Sequence, residues 1–168
     1  MENEMRVLPR ILLIGLAGVM LAAPGTAQRP DDQIMPKSLQ LEQQGKAMLA
    51  AGKIEEAENL FETALAVDPR NRGAYVDIAR VAGRQHLYGK SIRMTNKALA
   101  LEPNDVDAIA VQGEAMVELG ALSRAQANLA KLQQVCTKGC PQIAQLQAAI
   151  SRGPSVASAK APESPKTN

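Results

Sequence analysis

The chain repeats itself every 34 residues, and that period restricts its fold more than any other feature. Pro69 and Pro103 close matching phrases, Ala64-Leu65-Ala66-Val67-Asp68-Pro69 and Ala98-Leu99-Ala100-Leu101-Glu102-Pro103. Gly45, Ala79 and Gly113 keep the same spacing, as do Ala57, Ser91 and Ala125. So do Leu41, Tyr75 and Ile109, then Met48, Ala82 and Met116, then Ile54, Tyr88 and Leu122. A fixed period of roughly 20–50 residues belongs to stacked supersecondary units, each unable to bury its apolar face alone.

Each unit reads as two helices. Leu41, Gly45 and Met48 fall on one helical face, and Gly52 supplies a left-handed cap. Ile54, Ala57, Phe61, Ala64 and Leu65 form a second apolar stripe, which Pro69 stops. Gly45 and Ala57 are small enough for the paired helices to approach closely, with Phe61 filling space against the next unit. The units span 38–71, 72–105 and 106–137. The fold class is therefore all-α, an α-α superhelix of three stacked helix-turn-helix units.

The pattern resembles the tetratricopeptide repeat (TPR) family, whose signatures are a 34-residue period with small, aromatic and proline positions. Repeat one carries it best, through Gly45, Ala57, Phe61, Ala64 and Pro69. Repeat two departs at Ser91 and Thr95, where a small residue and an aromatic are usual, so looser packing is expected there. Repeat three has Thr137 in place of the closing proline. The last unit of such a stack needs a cover for its outer face. Residues 138–152 supply a capping helix with Ile143, Leu146 and Ile150 on one face and Pro141 in its first turn.

The ends read differently. Arg6 and Arg10 precede an uncharged run from Ile11 to Ala23, closed by Pro24 and Gly25. As a helix that run would span about 20 Å, short of a hydrocarbon core of about 30 Å. Residues 1–27 are expected to be a secretory signal peptide, with an uncleaved anchor as the alternative. The expected location is then exported, periplasmic in a Gram-negative source, with no stable membrane insertion after cleavage. Residues 28–37 read as a leader. Residues 153–168, rich in Pro, Ser, Ala and Lys, read as a disordered tail.

The resemblance implies a function in binding, because the family's first helices line a concave groove. Its lining positions carry over to Leu39, Glu42, Lys46 and Leu49, then Val76, Arg80 and Arg84, then Asp107, Ala110, Glu114, Val117 and Glu118. The core of the expected site is Lys46, Leu49, Val76, Arg80, Arg84 and Glu114, with Arg80 and Arg84 projecting into solvent. Some members grip a partner's C-terminal carboxylate. The matching positions here are Glu42, Lys46, Asp77, Asp107 and Val111, of which only Lys46 suits an anion. The expected partner is a protein or peptide of mixed charge.

Other chemistries find few parts. The net charge is +2 and aromatic residues make up 2% of the chain, too little for a nucleic-acid surface or its stacking platforms. Gly83 and Gly89-Lys90-Ser91 imitate a phosphate loop, but the spacing is too long and a helix precedes it. His86, the single histidine, occupies an inter-helix turn with no catalytic motif around it. No enzyme, cofactor or metal is expected. Cys136 and Cys140 read as a disulfide tying repeat three to the capping helix. The alternative is a thiol-redox or metal-handling accessory built on the same two residues.

Overall fold

A computed structural model of the protein describes residues 34–155. The expected signal peptide, the leader up to residue 33 and the tail from residue 156 lie outside them. Among the described residues seven helices follow one another: α1 Pro36–Ala50, α2 Ile54–Val67, α3 Arg72–Arg84, α4 Tyr88–Leu101, α5 Val106–Glu118, α6 Leu122–Val135 and α7 Pro141–Arg152. No strand occurs among the described residues. The all-α reading holds, with α1/α2, α3/α4 and α5/α6 as the three pairs. Along the stack α3 touches α1 and α5, and α5 touches α7, so the odd-numbered helices form one layer. The even-numbered helices form the other.

Helix ends follow the sequence signals. Asn71 and Asp105 cap α3 and α5 through side-chain oxygens that accept the amides of Ala74 and Ala108. Pro36 and Pro141 occupy first helical turns, where no amide donor is needed. The turns inside repeats one and three place Gly52 and Gly120 at φ 76° and 72°. Repeat two makes the same turn with His86 at φ 60°. The amide of the following residue closes all three turns: Lys53 onto Met48, Leu87 onto Ala82, Ala121 onto Met116. A side chain in this left-handed region costs about 1–2 kcal/mol, which glycine avoids. The contact between His86 Nδ1 and the Tyr88 hydroxyl, at 2.8 Å, offsets part of it. His86→Gly should therefore raise stability by about 1 kcal/mol in chemical denaturation; an unchanged or lower midpoint would place the strain elsewhere.

Glycines at the helix crossings set the packing. A Cβ on Gly45 would lie 2.5 Å from Phe61 Cε1, so the ring rests directly on the α1 backbone. Phe61 is fully buried, with Ala57 beside it and Ile78 and Val81 reaching it from α3. A Cβ on Gly113 would meet Leu146 of α7 at 2.7 Å. Leu146 and Ala149 are buried against repeat three, with Ile143 and Ile150 packed beside them. The cap covers the stack as its apolar face required, with its helix over Pro141–Arg152.

Three expectations need correction. Ser91 and Thr95 are buried, not loosely packed: Thr95 Oγ1 donates to the Ser91 carbonyl at 3.0 Å, and Met94 packs against cores on either side. The leader does not run to residue 37, because α1 begins at Pro36 and the Met35 amide donates to Asp68 Oδ2 at 2.9 Å. That amide and the Arg70 guanidinium, the larger influence, hold the Asp68 carboxyl well below the usual carboxylate range. The tail does not leave the fold at residue 153 either. The Ser155 amide donates to Glu118 Oε2 at 2.8 Å.

Cys136 and Cys140 are joined as a disulfide with Cα atoms 5.8 Å apart. They are the C-cap of α6 and the N-cap of α7, so the bond closes the turn that leads into the cap. A loop of this size stabilises by about 2 kcal/mol. Reduction by a dithiol should speed amide exchange in α7 before α1–α4. Simultaneous loss of protection everywhere would show that the bond holds more than this turn.

Candidate functional site

The inner layer opens into a cleft of about 550 Å³ walled by α3, α5 and α7, with Tyr88 and Ser91 of α4 at its side. Ala79, Ala110, Ala115 and Ala149 line it with small apolar surface. Around that surface stand Arg80 and Arg84 of α3, Asp107, Glu114 and Glu118 of α5, and Arg152 of α7. Arg80 and Arg84 share the cleft because four residues is about one helical turn.

The charges are not equally available. Lys46 Nζ pairs with Glu42 and lies 3.5 Å from Asp77 Oδ2. Arg80 donates to Asp77 Oδ1 at 3.0 Å and to Asp107 Oδ1 at 2.7 Å. Gln142 Nε2 reaches the same Asp107 oxygen at 3.1 Å. A polar ladder thus crosses α1, α3, α5 and α7. Burial pushes the Asp77 carboxyl up against the opposing pull of Lys46 and Arg80. Burial also works against charge on Lys46, but its Glu42 hydrogen bond and the Asp77 and Glu42 charges win and raise it.

At the other end of the cleft, Glu118 accepts from the Ser155 amide, lies 3.6 Å from Arg152 and receives the Tyr88 hydroxyl at 3.5 Å. Desolvation opposes its charge; the Ser155 bonds and Arg152 outweigh this and hold its carboxyl down. Two charged groups remain unspent. Arg84 is exposed and makes no ion pair or hydrogen bond among the described residues. Glu114 is half-buried, likewise without a direct partner, and burial pushes its carboxyl up despite the charges of Arg80 and Arg152.

Of the six core residues expected from the sequence, Arg80, Arg84 and Glu114 come together in this cleft. The other three do not line it. Val76 is 3% exposed and packs with Ala79, Ala98, Ala108 and Val111. Leu49 packs against the Phe61 cluster, and Lys46 is held by Glu42 and Asp77. Among the wider lining set, Asp107, Ala110 and Glu118 belong to the cleft. Val117 is fully buried beside Met116, Glu42 is buried, and Leu39 is exposed on α1 outside it. Arg80 is not simply in solvent, since both its terminal nitrogens have carboxylate partners.

The α7 wall, Gln145, Ala149 and Arg152, was missed. A signal for it exists: Ile143, Ile150 and Arg152 stand 34 residues after Ile109, Met116 and Glu118. Followed one step further, the period makes α7 the first helix of an unfinished fourth unit. Cys136 and Cys140 lie outside the cleft, and no cluster of three or more His, Cys, Asp or Glu able to hold a metal occurs among the described residues. No helix among them is long and apolar enough to cross a membrane.

No protein-family model matches the chain, and no curated protein matches it. Solved structures do. The first TPR domain of Spaghetti (RPAP3), bound to the HSP90 peptide SRMEEVD, is 22% identical at a TM-score of 0.63, covering 69% of this chain and 94% of that one. The TPR domain of Sgt2 from Aspergillus fumigatus is 19% identical at a TM-score of 0.65, over 70% of this chain and 79% of that one. The TPR2B domain of yeast Sti1, in a complex with pHsp70, is 18% identical at a TM-score of 0.63, over 69% and 97%. These likenesses establish the fold as that of tetratricopeptide repeats.

Proposed function

We propose that the protein is a non-enzymatic adaptor that holds a segment of a protein partner in the cleft between α3, α5 and α7. The observation that carries this reading is the pair Arg84 and Glu114, charged groups in a concave site with no direct partner among the described residues. A charge left without a partner in a partly desolvated site gains most when a ligand supplies the opposite one. The two similar domains described above as bound to HSP90 and HSP70 ligands support peptide binding on this fold. We further propose that the chain acts after export, consistent with the apolar run Ile11–Ala23 and with a Cys136–Cys140 bond that persists in an oxidising compartment. N-terminal sequencing of the exported form should then begin near Gln28.

Site-specific photo-crosslinking in the native host tests the cleft. A photoreactive side chain at Gln145, exposed on the α7 wall, should yield a defined protein adduct. The same group at Gln126, exposed on α6, should not. Adducts from Gln126 alone would move the binding face to the outer layer.

A further inference from the structure

Resting on that reading of the cleft, we infer that it takes an internal stretch of the partner bearing one acidic and one basic side chain. The acid meets Arg84 and the base meets Glu114. The argument begins from the charges already spent. A chain terminus is gripped by several donors converging on one carboxylate. On this concave face the cations are neutralised within the fold: Lys46 by Glu42 and Asp77, Arg80 by Asp77 and Asp107, Arg152 by Glu118. Capture of a C-terminal carboxylate would have to break one of these pairs. Among the described residues, Arg84 alone of the cleft-lining cations needs nothing broken.

The acids tell the same story with the sign reversed. Glu118 already accepts from Ser155 and faces Arg152, and Asp107 accepts from both Arg80 and Gln142. Glu114 is the cleft acid with no direct partner among the described residues, and it is half-buried. One unspent charge of each sign is a match for a dipolar segment. A segment of single sign would gain at one group and be repelled at the other.

The test titrates the full chain with fluorescein-labelled nonapeptides, acetylated and amidated at their ends, read by anisotropy. One pool carries a Glu and a Lys at varied separation, the remaining positions drawn from Ala, Ser, Leu and Gly. Two control pools replace either the Glu or the Lys by Gln. The mixed pool should bind about tenfold more tightly than either control, and a free C-terminus should make no difference. Arg84→Glu should erase that preference, and exchanging the peptide Glu for Lys should restore binding to this variant. Equal binding of all pools, or binding that requires a free terminus, overturns the inference while leaving the cleft as a peptide site. Binding by no pool, of either end chemistry, overturns the peptide-binding reading itself. The chain's own segment 156–168 also carries Lys160 and Glu163. If Lys160→Gln together with Glu163→Gln strengthens probe binding, that segment is the occupant and the assignment to a partner is overturned.

Discussion

Phe61→Ala should lower the free energy of unfolding by about 3–5 kcal/mol, the range for an aromatic ring removed from a packed core. The ring is fully buried and is the one phenylalanine in the chain. It lies on the bare backbone of Gly45, with Ile78 and Val81 closing over it from the next repeat. Neither side can fill the space without moving a helix, so most of the cavity should remain. Because each unit in a stack leans only on its neighbours, the damage should concentrate in α1–α3. Urea denaturation measures the total, and hydrogen exchange shows where it falls. A loss below about 1 kcal/mol would mean that Phe61 is not the residue that locks α2 onto Gly45 and joins repeat one to Ile78 and Val81 of repeat two.

Much of this architecture was legible because the period acts at every level at once. The spacing of Gly45, Ala79 and Gly113 marks helix crossings, and two of the three are the close approaches found against Phe61 and Leu146. The departures were harder to judge. Thr95 stands where an aromatic was expected, but a threonine can return its hydroxyl to its own helix and be buried without penalty, leaving Met94 to fill the space.

The site was less legible, for a geometric reason. First-helix positions were assigned to the groove by register, yet Val76 and Val117 turn toward neighbouring helices and disappear into the core. Arg80 and Asp107 are 27 residues apart, and only the stacking of α3 on α5 makes them an ion pair. A linear reading counts Arg80 and Arg84 as equal cations. The folded chain spends one and leaves the other. The α7 wall escaped notice because its helix was treated as a lid, although its apolar positions continue the period.

That inequality gives the second large effect. Arg84→Glu should weaken partner binding by at least about tenfold, equivalent to about 1.4 kcal/mol, without changing the fold. The side chain is exposed and has no partner among the described residues to lose. Arg80→Glu should also weaken binding, but for a mixed reason. It sets a third acid against Asp77 and Asp107 and should cost about 1–3 kcal/mol of stability as well. Binding should weaken as salt rises, since the exposed part of the attraction is screened.

Arg84→Glu is therefore the clean variant. The decisive measurement is the affinity of that variant for the partner segment crosslinked through Gln145, beside its melting temperature and helical circular dichroism. The expected result is binding reduced about tenfold or more with both structural signals unchanged, while Glu55→Arg on the outer layer binds as the parent does. Unaltered affinity in Arg84→Glu would contradict the account and take the binding function out of this cleft.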